Sequence, residues 1–183
     1  MNDNPYAPPK SRVDGPRPVL SESDPYFFAA STLKLVLMSI CTGGLYELYW
    51  FYKNWVLIKQ RTNQHMMPFW RAAFAPLWAY SCFKHIATAA KDRNTSAPPA
   101  IGMLAVVYFV LQAVWRLPDP YWLISFFSFV PLMPANSAAR LVNRTLAGDT
   151  YDNAKFSGWN WLGLVVGGLF LVLALIGTWY PEP

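Results

Sequence analysis

Between Leu162 and Thr178 the chain carries no charged side chain, and tryptophans stand at both ends of the stretch, at 159, 161 and 179. A bilayer crossing needs about 20 mostly apolar residues, and indole rings favour the headgroup level. A helix of this length on a soluble domain would show a polar face, and residues 162–178 offer none. The run therefore predicts a membrane helix, and composition agrees: only 14% of residues are charged, against roughly 25% in soluble domains.

Four further segments have bilayer-like composition, at about 27–61, 68–90, 100–117 and 121–133. With 159–179 they predict an all-α integral membrane protein of four to five membrane helices, joined by short amphipathic interfacial helices. Residues 1–25 read as a proline-rich cytoplasmic tail, because Pro5, Pro8, Pro9, Pro16, Pro18 and Pro25 block helix and too few large apolar residues remain to offset ordering entropy. Residues 26–180 then form a single helical membrane domain.

The stretch Leu33–Arg61 is the most informative of these. It starts as a plain membrane helix, with Lys34 placed to snorkel to the headgroups. It meets Gly43-Gly44 and gains an acid at Glu47. Ser39, Gly43 and Glu47 are four apart and on one helix would share a stripe. An ionisable group at membrane depth is a functional candidate by default, and it is weighed against an interfacial Glu47 paired with a neighbouring segment. Tyr46, Tyr49, Trp50, Tyr52 and Trp55, followed by Lys53, Lys59 and Arg61, read as an aromatic belt with basic anchors. Whether this stretch crosses or folds back at the two glycines stays open.

Segment 68–90 is short between Arg71 and Lys84 and holds Pro76, so it crosses with a kink, lies in the interface or is re-entrant. Segment 100–117 has Gln112 as its one strongly polar interior residue. Pro118-Asp119-Pro120 forces a turn, so segment 121–133 returns antiparallel. Residues 135–147 have helical periodicity, with Arg140 and Arg144 one turn apart, and Gly148-Asp149 ends them. In the last segment Gly163 and Gly167 form a GxxxG packing face, read as packing within the chain ahead of dimerisation.

Lys and Arg cluster beside the apolar segments, which puts the net charge of +5 to use in topology and in contact with anionic headgroups rather than nucleic acid. The distribution places the N-terminus and the Arg140 helix in the cytoplasm and the C-terminus in the periplasm. Cys41 and Cys82 lie in apolar segments and read as reduced, buried residues. His65 and His85 lack ligand spacing, so no metal is expected. No catalytic motif occurs, and neither an enzyme nor a cofactor is expected.

The run Thr42–Trp55, TGGLYELYWFYKNW, resembles the hallmark of a family of small bacterial multi-pass inner-membrane proteins classed under domains of unknown function. There a T-x-G-x-Y-x-x-Y-W core, here Thr42 to Trp50, closes the first membrane segment. The PFWRAAFAP block, the NPYAPP-type tail and the AKFSGWNWLG approach to the last helix are similar too. The resemblance implies a bacterial inner-membrane protein and brings no activity, substrate or catalytic residue with it. The expected function is a non-catalytic accessory or assembly component, with a membrane-protein partner or a second copy of itself. The alternative is a small transporter or channel that uses Glu47 beside the Gly43-Gly44 break.

Overall fold

The computed structural model describes residues 25–147 and 153–179. The tail at 1–24 and the helix stop at Gly148-Asp149 lie outside the described residues. Within them the chain is all-helical. Helices α1 (Thr32–Cys41), α2 (Leu45–Thr62), α3 (Pro68–Ala73), α4 (Ala75–Asp92) and α5 (Ile101–Val114) come first. A 3₁₀ helix, η1 (Tyr121–Phe129), then leads into α6 (Leu132–Ala147), and α7 (Gly158–Trp179) follows.

The stretch 27–61 is a hairpin, not one helix. Gly43 and Gly44 take φ of +57° and +87°, left-handed conformations that cost a side-chain-bearing residue energy and end a right-handed helix. Thr42 joins the two arms, its hydroxyl donating to the Met38 carbonyl at 2.6 Å and accepting from the Tyr46 N–H at 3.0 Å. α2 then runs back past residues 25–28: Arg61 donates to the carbonyls of Tyr26 and Pro25, and Tyr49 packs edge-on against Phe28.

The non-helical stretch 25–31 is threaded into the bundle and held by three asparagine amides. Asn143 accepts from the Phe27 N–H at 2.9 Å and donates to the Phe27 carbonyl at 2.7 Å. Asn54 does the same for Phe28 at 3.1 and 3.0 Å. Asn136 does it for Ala30 at 3.0 and 2.7 Å, and its oxygen also accepts from the Trp50 indole at 3.0 Å. Backbone outside helix must find partners when buried, and here side chains supply them. Asn136 and Asn143 are seven apart, two turns of α6, so both face the same way.

Around this clamp lies a core of Trp50, Phe51, Trp55, Phe83, Tyr108 and Leu132, all wholly buried. The inner face of α4 combines small residues, Ala75, Ala79, Cys82 and Ala90, with Phe83 and Ile86, all wholly buried. Several expectations change accordingly. Trp50, Trp55 and Tyr46 are core residues rather than an interfacial belt, and only Tyr49 and Tyr52 of the collar are exposed. Lys34 is buried instead of snorkelling: its ammonium donates to Asn153 Oδ1 and the Lys155 carbonyl, each at 2.9 Å, which ties α1 to the approach to α7. Segment 68–90 breaks at Phe74 into α3 and α4, segment 121–133 is mostly 3₁₀, and α6 begins at Leu132.

Two helices among the described residues are long and apolar enough to cross a bilayer: Tyr121–Leu146, which runs through η1 into α6, and α7. α1 and α5, at 10 and 14 residues, reach only about 15 and 21 Å, short of the roughly 30 Å of a hydrocarbon core. α7 has no buried residue. It rests on α1 through its glycines: a Cβ at Gly163 would sit 3.3 Å from Met38 Cε, and one at Gly167 would run into the Cys41 carbonyl. The exterior is apolar well beyond α7, with Leu33, Leu77, Met103, Val106, Ile124 and Phe127 all exposed.

Candidate functional site

Glu47 stands in the first turn of α2, where the exposed N–H groups of the helix favour negative charge. It is wholly buried. The turn at Gly43-Gly44 delivers it to the middle of the bundle, opposite α5 and η1. Ser128 donates to Oε1 at 2.8 Å and the Gln112 amide donates to Oε2 at 3.1 Å. The same amide donates to the Tyr108 hydroxyl at 3.3 Å. The hydroxyls of Tyr108 and Ser39 also turn toward the carboxyl, Ser39 stopping short of a hydrogen bond. Moving a carboxyl out of water is costly unless its oxygens find donors. Here both do, from two further elements, so Glu47 ties α2 to α5 and to η1.

The predicted site residues separate into distinct roles. Gly44 adjoins this centre, since a Cβ there would lie 3.8 Å from Gln112 Nε2. Gly43 lines the space outside it. Thr42, Gly44, Tyr46, Tyr49 and Trp50, the positions of the T-x-G-x-Y-x-x-Y-W core, build the hairpin. The threonine bridges the turn, the glycine takes the left-handed conformation, the first tyrosine offers the N–H that the threonine caps, the second packs on Phe28, and the tryptophan reaches Asn136. Ser39 and Glu47 still meet, but across a turn rather than along one helical stripe. Gly163 and Gly167 lie apart, on α7.

Sequence reasoning noticed Gln112 without assigning it a partner, and missed Ser128, Tyr108 and the three clamp asparagines. One signal was available. Asparagine is a poor helix former, and two of them seven apart among the small residues of 135–143 ask for a buried acceptor and donor.

Two hollows border the Glu47 centre. A cleft of about 320 Å³ is lined by Gly43, Gln112, Trp115, Trp122, Ser125 and Ser128. An almost wholly apolar groove of about 650 Å³ runs between the end of α1 and α7, and shares Gly43 and Phe126 with that cleft. Glu47 lines neither. No group of three His, Cys, Asp or Glu among the described residues could hold a metal ion. The centre is a buried hydrogen-bonded junction of α2, α5 and η1, and its partners Gln112 and Ser128 line the smaller hollow while Glu47 itself is unexposed.

No family model, curated protein or solved structure matches the chain.

Proposed function

We propose that this chain is a non-catalytic, multi-pass protein of the bacterial inner membrane, acting as an accessory or assembly component. The observation that carries the reading is the inversion of polarity. Glu47, Asn54, Ser128, Asn136 and Asn143 are buried and hydrogen-bonded, Glu47 to Ser128 and the asparagines to the backbone of 25–31, while large apolar side chains cover the outside. Exposed apolar area of this extent marks a lipid or protein contact surface.

The helix lengths suggest how such a molecule sits. α7, 22 residues long, extends about 33 Å and could cross alone. The Gly43-Gly44 turn meets it near Gly167, about 14 Å from its start at 1.5 Å per residue. In this reading the hairpins α1–α2 and α5–η1 enter from the cytoplasmic side and stop near mid-depth. The basic residues Arg61, Lys84, Arg93, Arg140 and Arg144 then stay with the N-terminus in the cytoplasm, and the C-terminus is periplasmic. This arrangement has fewer full crossings than four to five and satisfies the positive-inside bias better. Non-helical backbone such as 25–31 is tolerated at depth only where protein satisfies it, and the asparagines do so.

Glu47 in this reading is structural. The test is purification of the full chain in native-lipid nanodiscs with mass spectrometry of what accompanies it. A stoichiometric membrane-protein partner or a defined homo-oligomer is the expected result. A monomer accompanied by no protein would overturn the accessory role.

A further inference from the structure

A third hollow, of about 430 Å³, opens on the side of the bundle away from Glu47 and has a different chemistry. It lies between Tyr26 and Phe27, the end of α2 and the middle of α4. Ser81, Lys84, His85 and Thr88 project into it from α4 at spacings of three and four, which puts them on one helical face. Arg61 and Thr62 close it from α2. Arg61 and Arg93 both lie 4.1 Å from the Tyr26 ring, on its border. Arg71 stands next to His85, its guanidinium 4.6 Å from the Trp55 ring and 4.4 Å from the Trp78 ring. The one carboxylate in the lining, Asp92, lies two turns from Lys84, about 12 Å along α4.

The Ser81 and Thr88 hydroxyls and the Lys84 ammonium converge on one concavity and are donors that a tetrahedral oxyanion takes up, with the Arg61 charge beside them. The Thr62 hydroxyl is already given to the Ile58 carbonyl, and Arg61 holds the carbonyls of Tyr26 and Pro25. The volume is in the range of small-ligand sites. The cleft also sits beside the most aromatic part of the exterior. Phe69, Trp70, Phe74, Leu77 and Trp78, all exposed, occupy α3 and the first turns of α4, directly before Ser81. Amphipathic rings of this kind settle at the headgroup level of a bilayer.

We propose that this cleft is a phosphate-binding site whose ligand in the membrane is the headgroup phosphate of an anionic phospholipid. Lys84 supplies the donor charge with Arg61 adding to the local positive field, Ser81 and Thr88 are the neutral donors, and the aromatic patch of α3–α4 holds the cleft at headgroup depth. The lipid source rests on the membrane reading above, whereas the phosphate chemistry does not.

The experiment is thermal unfolding of the full-length protein in phosphatidylcholine nanodiscs, compared with discs containing phosphatidylglycerol, discs containing oleate, and phosphatidylcholine discs with added inorganic phosphate. A ligand that binds the folded state raises the melting temperature in proportion to its occupancy. Phosphatidylglycerol is expected to stabilise and oleate, anionic without phosphate, is not. Lys84 is exposed, so Lys84→Glu should melt as wild type in phosphatidylcholine yet bind phosphatidylglycerol about tenfold or more weakly. Lys59→Glu makes the same charge change outside the cleft and should keep the response, and Thr88→Val should weaken it to a smaller degree. Stabilisation by inorganic phosphate that equals the lipid effect and is lost in Lys84→Glu supports the site and makes free phosphate its ligand. Equal responses to oleate and phosphatidylglycerol, equal losses in Lys84→Glu and Lys59→Glu, or no response to either phosphate source would each overturn the proposal.

Discussion

The body formed by the stretch 25–31 with α1–α6 and the single helix α7 are both rich in apolar residues, yet they are held by different forces. The body fastens most of its buried polar groups with hydrogen bonds: amides to the backbone of 25–31, a hydroxyl and an amide to the Glu47 carboxyl. α7 keeps nothing inside. It touches the rest through two glycines against α1, through Leu164 packed on the core, and through the oxygens that Lys34 finds before its first turn. On the proposed membrane reading an apolar surface gains little by burial, so close backbone approach and hydrogen bonds must supply the cohesion. The body relies on the second of these, and α7 relies chiefly on the first.

That contrast is open to direct tests. The largest effect is expected at Asn136. Asn136→Ala removes the partners of the Ala30 N–H, the Ala30 carbonyl and the Trp50 indole together. Leaving buried groups unpaired costs about 1–3 kcal/mol each. The body should lose its cooperative thermal transition, while helicity from α7 persists in far-ultraviolet circular dichroism. A fully native transition would show that the clamp contributes little.

Gly167→Val addresses the other side. Its side chain meets the Cys41 carbonyl, and overpacking costs about 1–3 kcal/mol. The body should melt nearly as wild type, while the distance between spin labels at Leu37 and Val165, both exposed, broadens. A body that unfolds with the helix would make the two regions one cooperative unit.

Glu47→Gln tests the hub at smaller amplitude. The side chain keeps its size and one acceptor for Ser128, so the expected loss is about 1 kcal/mol, with Glu47→Ala costing more because Gln112 and Ser128 lose their partner. Solute and proton flux in liposomes should be the same for wild type and Glu47→Gln. Flux that depends on the carboxyl would restore the transport reading.

The smallest effect concerns His85. Burial, then the neighbouring Arg71 and Lys84 cations, hold its imidazolium below the ordinary 6.5; Arg61 and Asp92 are the other charged groups of the cleft. The folded state thus binds its proton less readily than the unfolded state. This stabilisation is complete above about pH 6.5 and is lost as the pH falls from there through the folded value. In zwitterionic lipid and phosphate-free buffer, His85→Gln should flatten the acid limb of the stability profile. An unchanged acid limb would place His85 in water.

Much of this fold was legible in the residues, and what was not has a common cause. The ends of α7 followed from an uncharged run flanked by tryptophans, and the break at Pro118-Asp119-Pro120 from residues that cannot continue a helix. At Gly43-Gly44 the residues left a crossing and a fold-back both open, because glycine also sits inside helices, as Gly163 and Gly167 do in α7. The collar was misjudged because an aromatic helix face has the same pattern whether it meets lipid or protein. Trp50 and Trp55 meet protein, and only the position of α4 and α6 decides it. Lys34 was misjudged because its acceptors lie 119 and 121 residues away. At Glu47 the acid was visible but its donors were not, since Ser128 and Gln112 are ordinary residues until the hairpins bring them to it. The asparagine clamp shows in the sequence only as the spacing of Asn136 and Asn143, and their partners leave no trace, because each amide recognises a backbone and is indifferent to the side chain it carries.

The clamp has a consequence for the order of assembly. Phe27 and Ala30 are among the first described residues to leave the ribosome, and the side chains that fix them follow 116 and 106 positions later. Contacts so distant along the chain bear the full entropy of closing the intervening loop before they return any stabilisation. Asn54, 26 residues on, can hold Phe28 while α2 is new, but the stretch stays half fastened until α6 has been made. Nascent chains arrested before and after residue 143 should therefore differ abruptly in how far a protease can cut near Phe27, with the base of the bundle closing in a single late step.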